Sequence, residues 1–225
     1  MSHELKTPLA AATARIGGLV EAGGSGEDVP ARVREEAAAA LADLARLDGA
    51  IGDLLDMSQL ESDAWRPRFE PCDVSDVLGT VLAKLPEVAR GRVRFELAEG
   101  LPPVTVDFAQ VARALANLVE NALTYSGPSE PVIIGARTIG PDVVIWVEDR
   151  GPGVPDAEKR AVFEKFHRGS ASAAVPGTGL GLTIAAAIVR AHGGRVWVED
   201  AVPRGARFMV TLRAGERVMS GGEGE

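Results

Sequence analysis

The stretch NLVENALTYS, residues 117–126, sets Asn117, Asn121 and Tyr125 at intervals of four. That recurrence places all three on one face of an α-helix. Asparagine amides coordinate hard cations through oxygen, and magnesium commonly bridges a protein to nucleotide phosphates. The same pattern equally describes the polar side of a solvated helix, so further residues must decide between the two.

Two other stretches bear on the choice. EDRGPGVP, residues 148–155, follows the apolar run Val143–Val147, so Asp149 falls at a strand end, where ligand sites of α/β folds often gather. An aspartate there can accept a hydrogen bond from an exocyclic amine such as that of adenine, and Gly151 and Gly153 let the backbone approach a flat ring closely. GTGLGL, residues 177–182, stands immediately before the apolar helical run TIAAAIVRAH. Glycines at a helix entry offer free amides at the positive end of the dipole, which suits phosphate. The chain contains no G-x-x-x-x-G-K-[ST], so this is not a P-loop. Each piece alone has an ordinary reading as a turn or a solvated face. The three in this order are far less probable by chance.

The N-terminal part reads as helical. Leu5, Leu9, Ala12, Ile16 and Leu19 form an apolar seam that ends at EAGGSGEDVP, where paired glycines and Pro30 break it. A second helix is expected from about Pro30 to Ser62, with Ala37, Ala40, Leu44, Leu47, Ile51 and Leu54 repeating the heptad spacing. Two such helices make an antiparallel hairpin that cannot cover its own seam. Two hairpins about a two-fold axis make a four-helix bundle, so a homodimer through residues 1–62 is expected. The alternative is that the hairpin packs on the rest of its own chain.

Composition changes near DAWRPRFEPCD. Beyond it, strand patterns in RVRFELAEG, PVTVD, PVIIGARTIG, DVVIWVED, RVWVED and ARFMVTL alternate with helices at about 74–85, 107–124 and 180–192. The fold class expected is α+β: the hairpin in residues 1–64, then an α/β sandwich in 65–213 with its helices on one sheet face. The polar, Gly-rich tail, 214–225, is expected to be disordered.

The chain has 225 residues, 46% hydrophobic and 25% charged, which is a globular composition. Its net charge of −8, from 32 acidic and 24 basic residues, argues against direct binding of a nucleic-acid backbone. No apolar run approaches the roughly 18–20 residues that cross a bilayer, and the N-terminus lacks the order of a signal peptide. The lone cysteine, Cys72, excludes an internal disulfide or a cysteine-built zinc site and fits a reducing cytoplasm.

NLVENALTYS, EDRGPGVP, FEKFHRG (163–169) and GTGLGL resemble the N, G1, F and G2 boxes of the sensor histidine kinases of two-component systems, and SHELKTPL (2–9) resembles their H box. All five occur in the family's order, over roughly residues 2–213. The stretches AVPGTGLGLTIAAAIVRAHGG and DLLDMSQLES are most similar to the Kdp-type potassium-responsive kinases. The resemblance implies a dimerisation and phosphotransfer hairpin followed by a Bergerat-type ATP-binding domain, with ATP and Mg2+ as cofactors. It places Asn117 and Asn121 at the magnesium and phosphates, with Asn121 as the metal residue, Tyr125 among the nucleotide-binding residues, Asp149 at the adenine amino group, and Gly151 and Gly153 beside the base. It assigns Phe163, Phe166 and Arg168 to a mobile lid, and Gly177, Thr178, Gly179, Leu180 and Gly181 to the segment closing over the phosphates.

The same resemblance makes His3 the phosphoacceptor. A free imidazole has a pKa of about 6.5, so it is mostly neutral at pH 7 and one ring nitrogen can attack. Glu4 would hold the other ring proton, and Thr7, one turn on, would place water for dephosphorylating the partner, the receiver domain of a response regulator. His167 is expected to face solvent, and His192 to sit at a helix C-terminus that tolerates a cation. Related ATPases that use water carry a glutamate base where this chain has Asn117, so phosphotransfer is expected rather than hydrolysis. Glu120, on another face, reads as a solvated helix residue. Thr124 stands where the family often has a lysine. The family also carries a sensor upstream of its H box, so membrane attachment would run through a region N-terminal to this chain. A rival reading is a catalytically poor ATP-binding dimerisation module that modulates a partner. A third, an anti-sigma-type serine kinase, lacks a histidine hairpin.

Overall fold

The computed structural model describes residues 13, 14, 16, 31–60, 66–167 and 179–215. His3, Glu4 and Thr7, the first helix but for three residues, Arg168, Gly177, Thr178 and residues 216–225 lie outside them. The chain divides into two compact units, Met1–Ser62 and Asp63–Glu225.

In the first unit, α1 (Ala31–Leu60) is one continuous helix of 30 residues. Its span matches the heptad pattern. Of the seam residues, Ala37, Ala40, Leu44 and Ile51 are half-buried, whereas Leu47 and Leu54 are each 51% exposed.

The second unit runs β1 (Glu70–Cys72), α2 (Val74–Ala83), α3 (Glu87–Arg90), β2 (Val93–Leu97), β3 (Val104–Val106), α4 (Phe108–Tyr125), β4 (Val132–Ile139), β5 (Asp142–Glu148), a 3-10 turn (Ala161–Phe163), α5 (Gly181–Ala191), β6 (Val196–Asp200) and β7 (Ala206–Arg213). Five strands form one sheet in the order β2-β4-β5-β7-β6. Only β2 and β4 are parallel; β4–β5, β5–β7 and β7–β6 are antiparallel. β1 and β3 make a separate antiparallel pair, Glu70 opposite Val106.

Alternation along the strands sends one face to the core. Ile134, Ala136, Val143, Ile145, Val147, Phe208, Val210 and Leu212 are buried there. Leu115, Leu118 and Val119 of α4 and Ile184, Ile188 and Val189 of α5 are fully buried with them. Burying each such aliphatic side chain contributes on the order of 1.5–3 kcal/mol before chain entropy is counted.

The opposite face explains why residues 143–147 read as an unbroken apolar run. Val144 and Trp146 belong to that second face, and Trp146 stands across from Gly135 in the β4–β5 register. A Cβ at Gly135 would lie 1.9 Å from Trp146 Cζ2, so only glycine admits the indole lying over the strand. The guanidinium groups of Arg137 and Arg207 sit 5.8 and 5.9 Å from the ring, covering it in place of a second layer.

Three short elements, β1, α3 and the 3-10 turn, lie outside the sequence expectation. Pro71 sits in β1, where a two-stranded edge needs no amide from it. Ala214 and Gly215, at the start of the expected tail, are tied to the domain: Ala214 bridges to Val104, and the Gly215 amide donates to the Pro103 carbonyl at 2.7 Å.

Candidate nucleotide site

Helix α4 is held at both ends. At its start, Asp107 Oδ1 accepts from the Gln110 amide at 3.2 Å as an N-cap, and Oδ2 accepts from the Arg68 amide at 3.0 Å. The Asp107 amide itself donates to His192 Nε2 at 3.0 Å, while His192 Nδ1 lies 2.8 Å from the Ile188 carbonyl. Nε2 therefore carries a lone pair and Nδ1 the proton. His192 is 5% exposed and stands, as expected, at the C-cap of α5. A proton on Nε2 would face an amide hydrogen and break the contact.

Asn117, Asn121 and Tyr125 line one side of α4, all half-buried, while Glu120 and Thr124 are exposed. Asn117 Nδ2 donates to the Gly181 carbonyl at 3.0 Å, joining α4 to the first turn of α5. A Cβ at Gly181 would lie 3.8 Å from Asn117 Cγ, so the two helices nearly touch at this point.

Asp149 follows β5 and is 2% exposed. Its Oδ1 accepts from the Gly151 amide at 2.7 Å and the Ala206 amide at 3.2 Å. Oδ2 has no partner among the described residues. Burial pushes the carboxyl upward from the usual aspartate range, and the two backbone hydrogen bonds pull against it. The loop around it is close-fitting. A Cβ at Gly151 would stand 2.6 Å from the Tyr125 carbonyl oxygen, and one at Gly205 would stand 2.0 Å from that of Asp149. The neighbouring Glu148 is buried on the other sheet face, paired with Arg150 at 2.8 Å and with Arg207.

The F-box residues part company. Phe163 is a core side chain, edge-on to Phe208 with centroids 6.2 Å apart. Phe166 is 65% exposed and holds a positive φ of 59°. His167 does not face solvent as expected: it is half-buried, and its Nε2 is buried with no partner among the described residues. Its carbonyl oxygen would lie 3.0 Å from a Cβ at Gly179, so the segment before the gap in the described residues packs against the segment after it. Leu180 is buried, and Gly181 opens α5.

The structure thus strings Asn117, Asn121 and Tyr125 along one side of α4, with Gly181 against Asn117 and Gly151 and Asp149 at the Tyr125 end. Chemically, the cluster offers a buried acceptor with an open lone pair, two amide side chains, and the positive end of an 11-residue helix. Sequence reasoning missed Ser126 and the Ala201–Gly205 loop that closes on Asp149. Ser126 stood inside the quoted stretch without a periodic partner, and the loop acts through backbone atoms that leave no pattern in side chains.

Comparison with known proteins supplies the remaining context. Residues 106–216 match the family model of the histidine kinase-, DNA gyrase B- and HSP90-like ATPases, and residues 1–63 match the His Kinase A phospho-acceptor domain. The sensor protein KdpD of Escherichia coli (strain K12) is 34% identical over 94% of this chain, and the histidine-protein kinase/phosphatase MprB of Mycolicibacterium paratuberculosis (strain ATCC BAA-968 / K-10) is 36% identical over 90%. The chain spans 23% of the length of the first and 39% of the second. Among solved structures, full-length ShkA in complex with AMPPNP shares the fold at a TM-score of 0.75 and 24% identity, over 96% of this chain and 45% of that one. The mycobacterial sensor histidine kinase MprB matches at a TM-score of 0.57 and 32% identity, over 66% of this chain and the whole of that one. A phospho-acceptor domain followed by an ATPase domain, at such identity to both KdpD and MprB, is the arrangement of one family: this chain belongs to the sensor histidine kinases of two-component systems.

Proposed function

We propose that the chain is the catalytic core of a protein-histidine kinase, which moves the γ-phosphate of ATP to His3 and from there to an aspartate in the receiver domain of a response regulator. The observation that carries this reading is Asp149, whose Oδ1 is fixed by two backbone amides while Oδ2 is left to accept one more donor. An adenine amino group is a donor of the right size, and glycine at 151 and 205 lets the loop backbone pack directly on Tyr125 and Asp149, with no side chain there to crowd the carboxylate. The residues present fit a nucleotide with its base at Asp149, Gly151 and Gly153. Its phosphates would lie between Asn117, Asn121 and Tyr125 on α4 and the Gly177–Gly181 segment, under Phe166 and Arg168.

Magnesium would be held at Asn121. Among the described residues no group of three or more His, Cys, Asp or Glu side chains is placed to hold a metal. An ion there would draw most of its ligands from phosphate oxygens and water, as magnesium commonly does.

In the transfer step a ring nitrogen of neutral His3 forms a bond to the γ-phosphorus as the bond to the ADP oxygen breaks, with Glu4 holding the other ring proton. Asn117 cannot act as a base toward water, since an amide is not basic at neutral pH and its Nδ2 already donates to Gly181. Transfer to a side chain is favoured over hydrolysis. Residues 1–64 would supply the hairpin, paired with a second copy through residues 1–62, and residues 65–213 the ATP-binding domain in the cytoplasm. No helix among the described residues is long and apolar enough to cross a membrane. The kinase/phosphatase description of the MprB relatives supports a second activity, with Thr7 placing water against the phosphorylated regulator.

The test is incubation with γ-labelled ATP and magnesium. The expected product is acid-labile, base-stable label on the chain, absent in His3→Gln. Nucleotide binding without any label would favour the catalytically poor module instead.

A further inference from the structure

Two elements must hold their distance for one nucleotide to reach both Asp149 and Asn121. The first is α4, which carries Asn121; the second is the loop after β5, which carries Asp149. Ser126 lies where they meet. It is the C-cap of α4, with extended backbone (φ −74°, ψ 146°), and its own amide still donates to Ala122 at 3.0 Å. The chain turns out of the helix there, and the side chain reaches across to the loop. Ser126 Oγ accepts the Arg150 amide at 3.1 Å, between the residue that would hold the base and the glycine that would lie beside it. The oxygen sits in a side chain that is 7% exposed, so solvent is a poor substitute partner.

We propose that Ser126 is a positioning residue for the nucleotide, setting the separation between the amide face of α4 and the base-binding aspartate; this rests on the ATP reading of the site. Three neighbouring facts show why a single hydroxyl has this leverage. The loop is already packed to the limit against the helix end, because a Cβ at Gly151 would stand 2.6 Å from the Tyr125 carbonyl oxygen. That fit leaves no room for a side chain at 151, but it does not hold the loop against moving away. The Arg150 side chain is engaged elsewhere, by Glu148 at 2.8 Å and the Val202 carbonyl, so its backbone amide alone meets the end of α4. The Ser126 hydrogen bond holds that amide to the helix end. Asp149 Oδ1 takes one of its two hydrogen bonds from the Gly151 amide, so a shift of the Arg150 amide loosens that half of the carboxylate's fixing while Ala206 keeps the other.

The consequence is specific. The base lies at one end of ATP and the γ-phosphate at the other. Losing the Ser126 contact displaces the base end, while Asn121 and the start of α5 keep the phosphate end. Ground-state affinity falls and the chemical step does not. A hydroxyl whose only role is to stabilise the fold would not separate the two.

The experiment uses the full chain, unmutated and as Ser126→Ala, Ser126→Cys and Ser126→Thr, with Mg-ATP and Mg-ADP affinities by calorimetry, autophosphorylation for KM and kcat, and Tm as a control. Ser126→Ala and Ser126→Cys are expected to weaken ATP and ADP alike by about tenfold and raise KM by the same factor, with kcat within about twofold. Ser126→Thr keeps the hydroxyl and restores affinity. Cysteine keeps the volume with a weak acceptor, so it answers the question if the alanine variant does not fold. Unchanged affinity in folded Ser126→Ala or Ser126→Cys, a threonine variant as weak as alanine, or a loss confined to kcat overturns the assignment. An unmutated chain that binds no ATP overturns the nucleotide reading itself, and the role of Ser126 with it.

Discussion

The amide of Ala206 donates to Asp149 Oδ1 at 3.2 Å across 57 positions of sequence, from the first residue of β7 to the residue after β5. The two backbones also meet directly, the Asp149 amide donating to the Ala206 carbonyl at 2.9 Å. Sheet pairing therefore aims the carboxylate: the ladder that joins β5 to β7 decides which oxygen is occupied and which is open.

Asp149→Asn is expected to lower ATP affinity ten- to a hundredfold, the value of about 1.5–3 kcal/mol for a hydrogen bond to a charged group. The fold is expected to be at least as stable at pH 7, because an amide does not carry the desolvation cost of a buried carboxylate. Calorimetry for binding and urea unfolding for stability read the two effects separately. A variant that binds ATP as well as the unmutated chain removes Asp149 from the site.

Acid acts on binding and folding with opposite signs at this residue. Burial raises the Asp149 pKa above its ordinary value of 3.8. The folded chain thus binds this proton more tightly than the unfolded chain. The stability linked to it is fully present below the unfolded pKa and is lost as pH rises through the folded one. On the proposal that the ionised Asp149 accepts the adenine amino group, affinity is expected to fall as pH drops through that raised pKa, ahead of an ordinary aspartate. Affinity measured from pH 8 downward checks this, and a profile identical in Asp149→Asn would assign the titration to another group.

Gly205 has a φ of +106°, and a Cβ there would stand 2.0 Å from the Asp149 carbonyl oxygen. Gly205→Ala is expected to destabilise the domain by about 1–3 kcal/mol or more and to weaken nucleotide binding, since the backbone it displaces belongs to Asp149. Chemical denaturation and calorimetry on one preparation show both losses. Gly140, with a φ of +57° and nothing within 4 Å of an added Cβ, is the control: alanine there strains the turn but leaves the site alone.

Leu47 and Leu54 lie seven residues apart on α1, each 51% exposed within one chain. If the seam is covered by a second copy, Leu47→Glu with Leu54→Glu places two charges in a bundle core and is expected to give a monomer. Light scattering reads this directly. A double variant that remains dimeric puts the interface elsewhere.

Much of this protein was legible in its sequence for a local reason. Hydrophobic period and helix entry residues act over a turn or two, so α1, α2, α4, α5 and the strands from β2 to β7 fall within a few residues of where the pattern puts them. The candidate site residues on α4 and after β5 stand out in the sequence because their spacing is itself local: four residues for the amides, two for Asp149 and Gly151.

What only the tertiary structure decided depends on atoms that sequence patterns do not mark. His192 Nε2 accepts the Asp107 amide, and no neighbour in sequence says so. Trp146 leaves the core because β5 has two covered faces, one made of arginines rather than of a second layer. Pairing between β5 and β7 turns Asp149 from one acid among many into an acceptor with a single open oxygen. Backbone amides supply that fixation, and they are the same in every residue but proline, so position in the fold alone gives them their meaning.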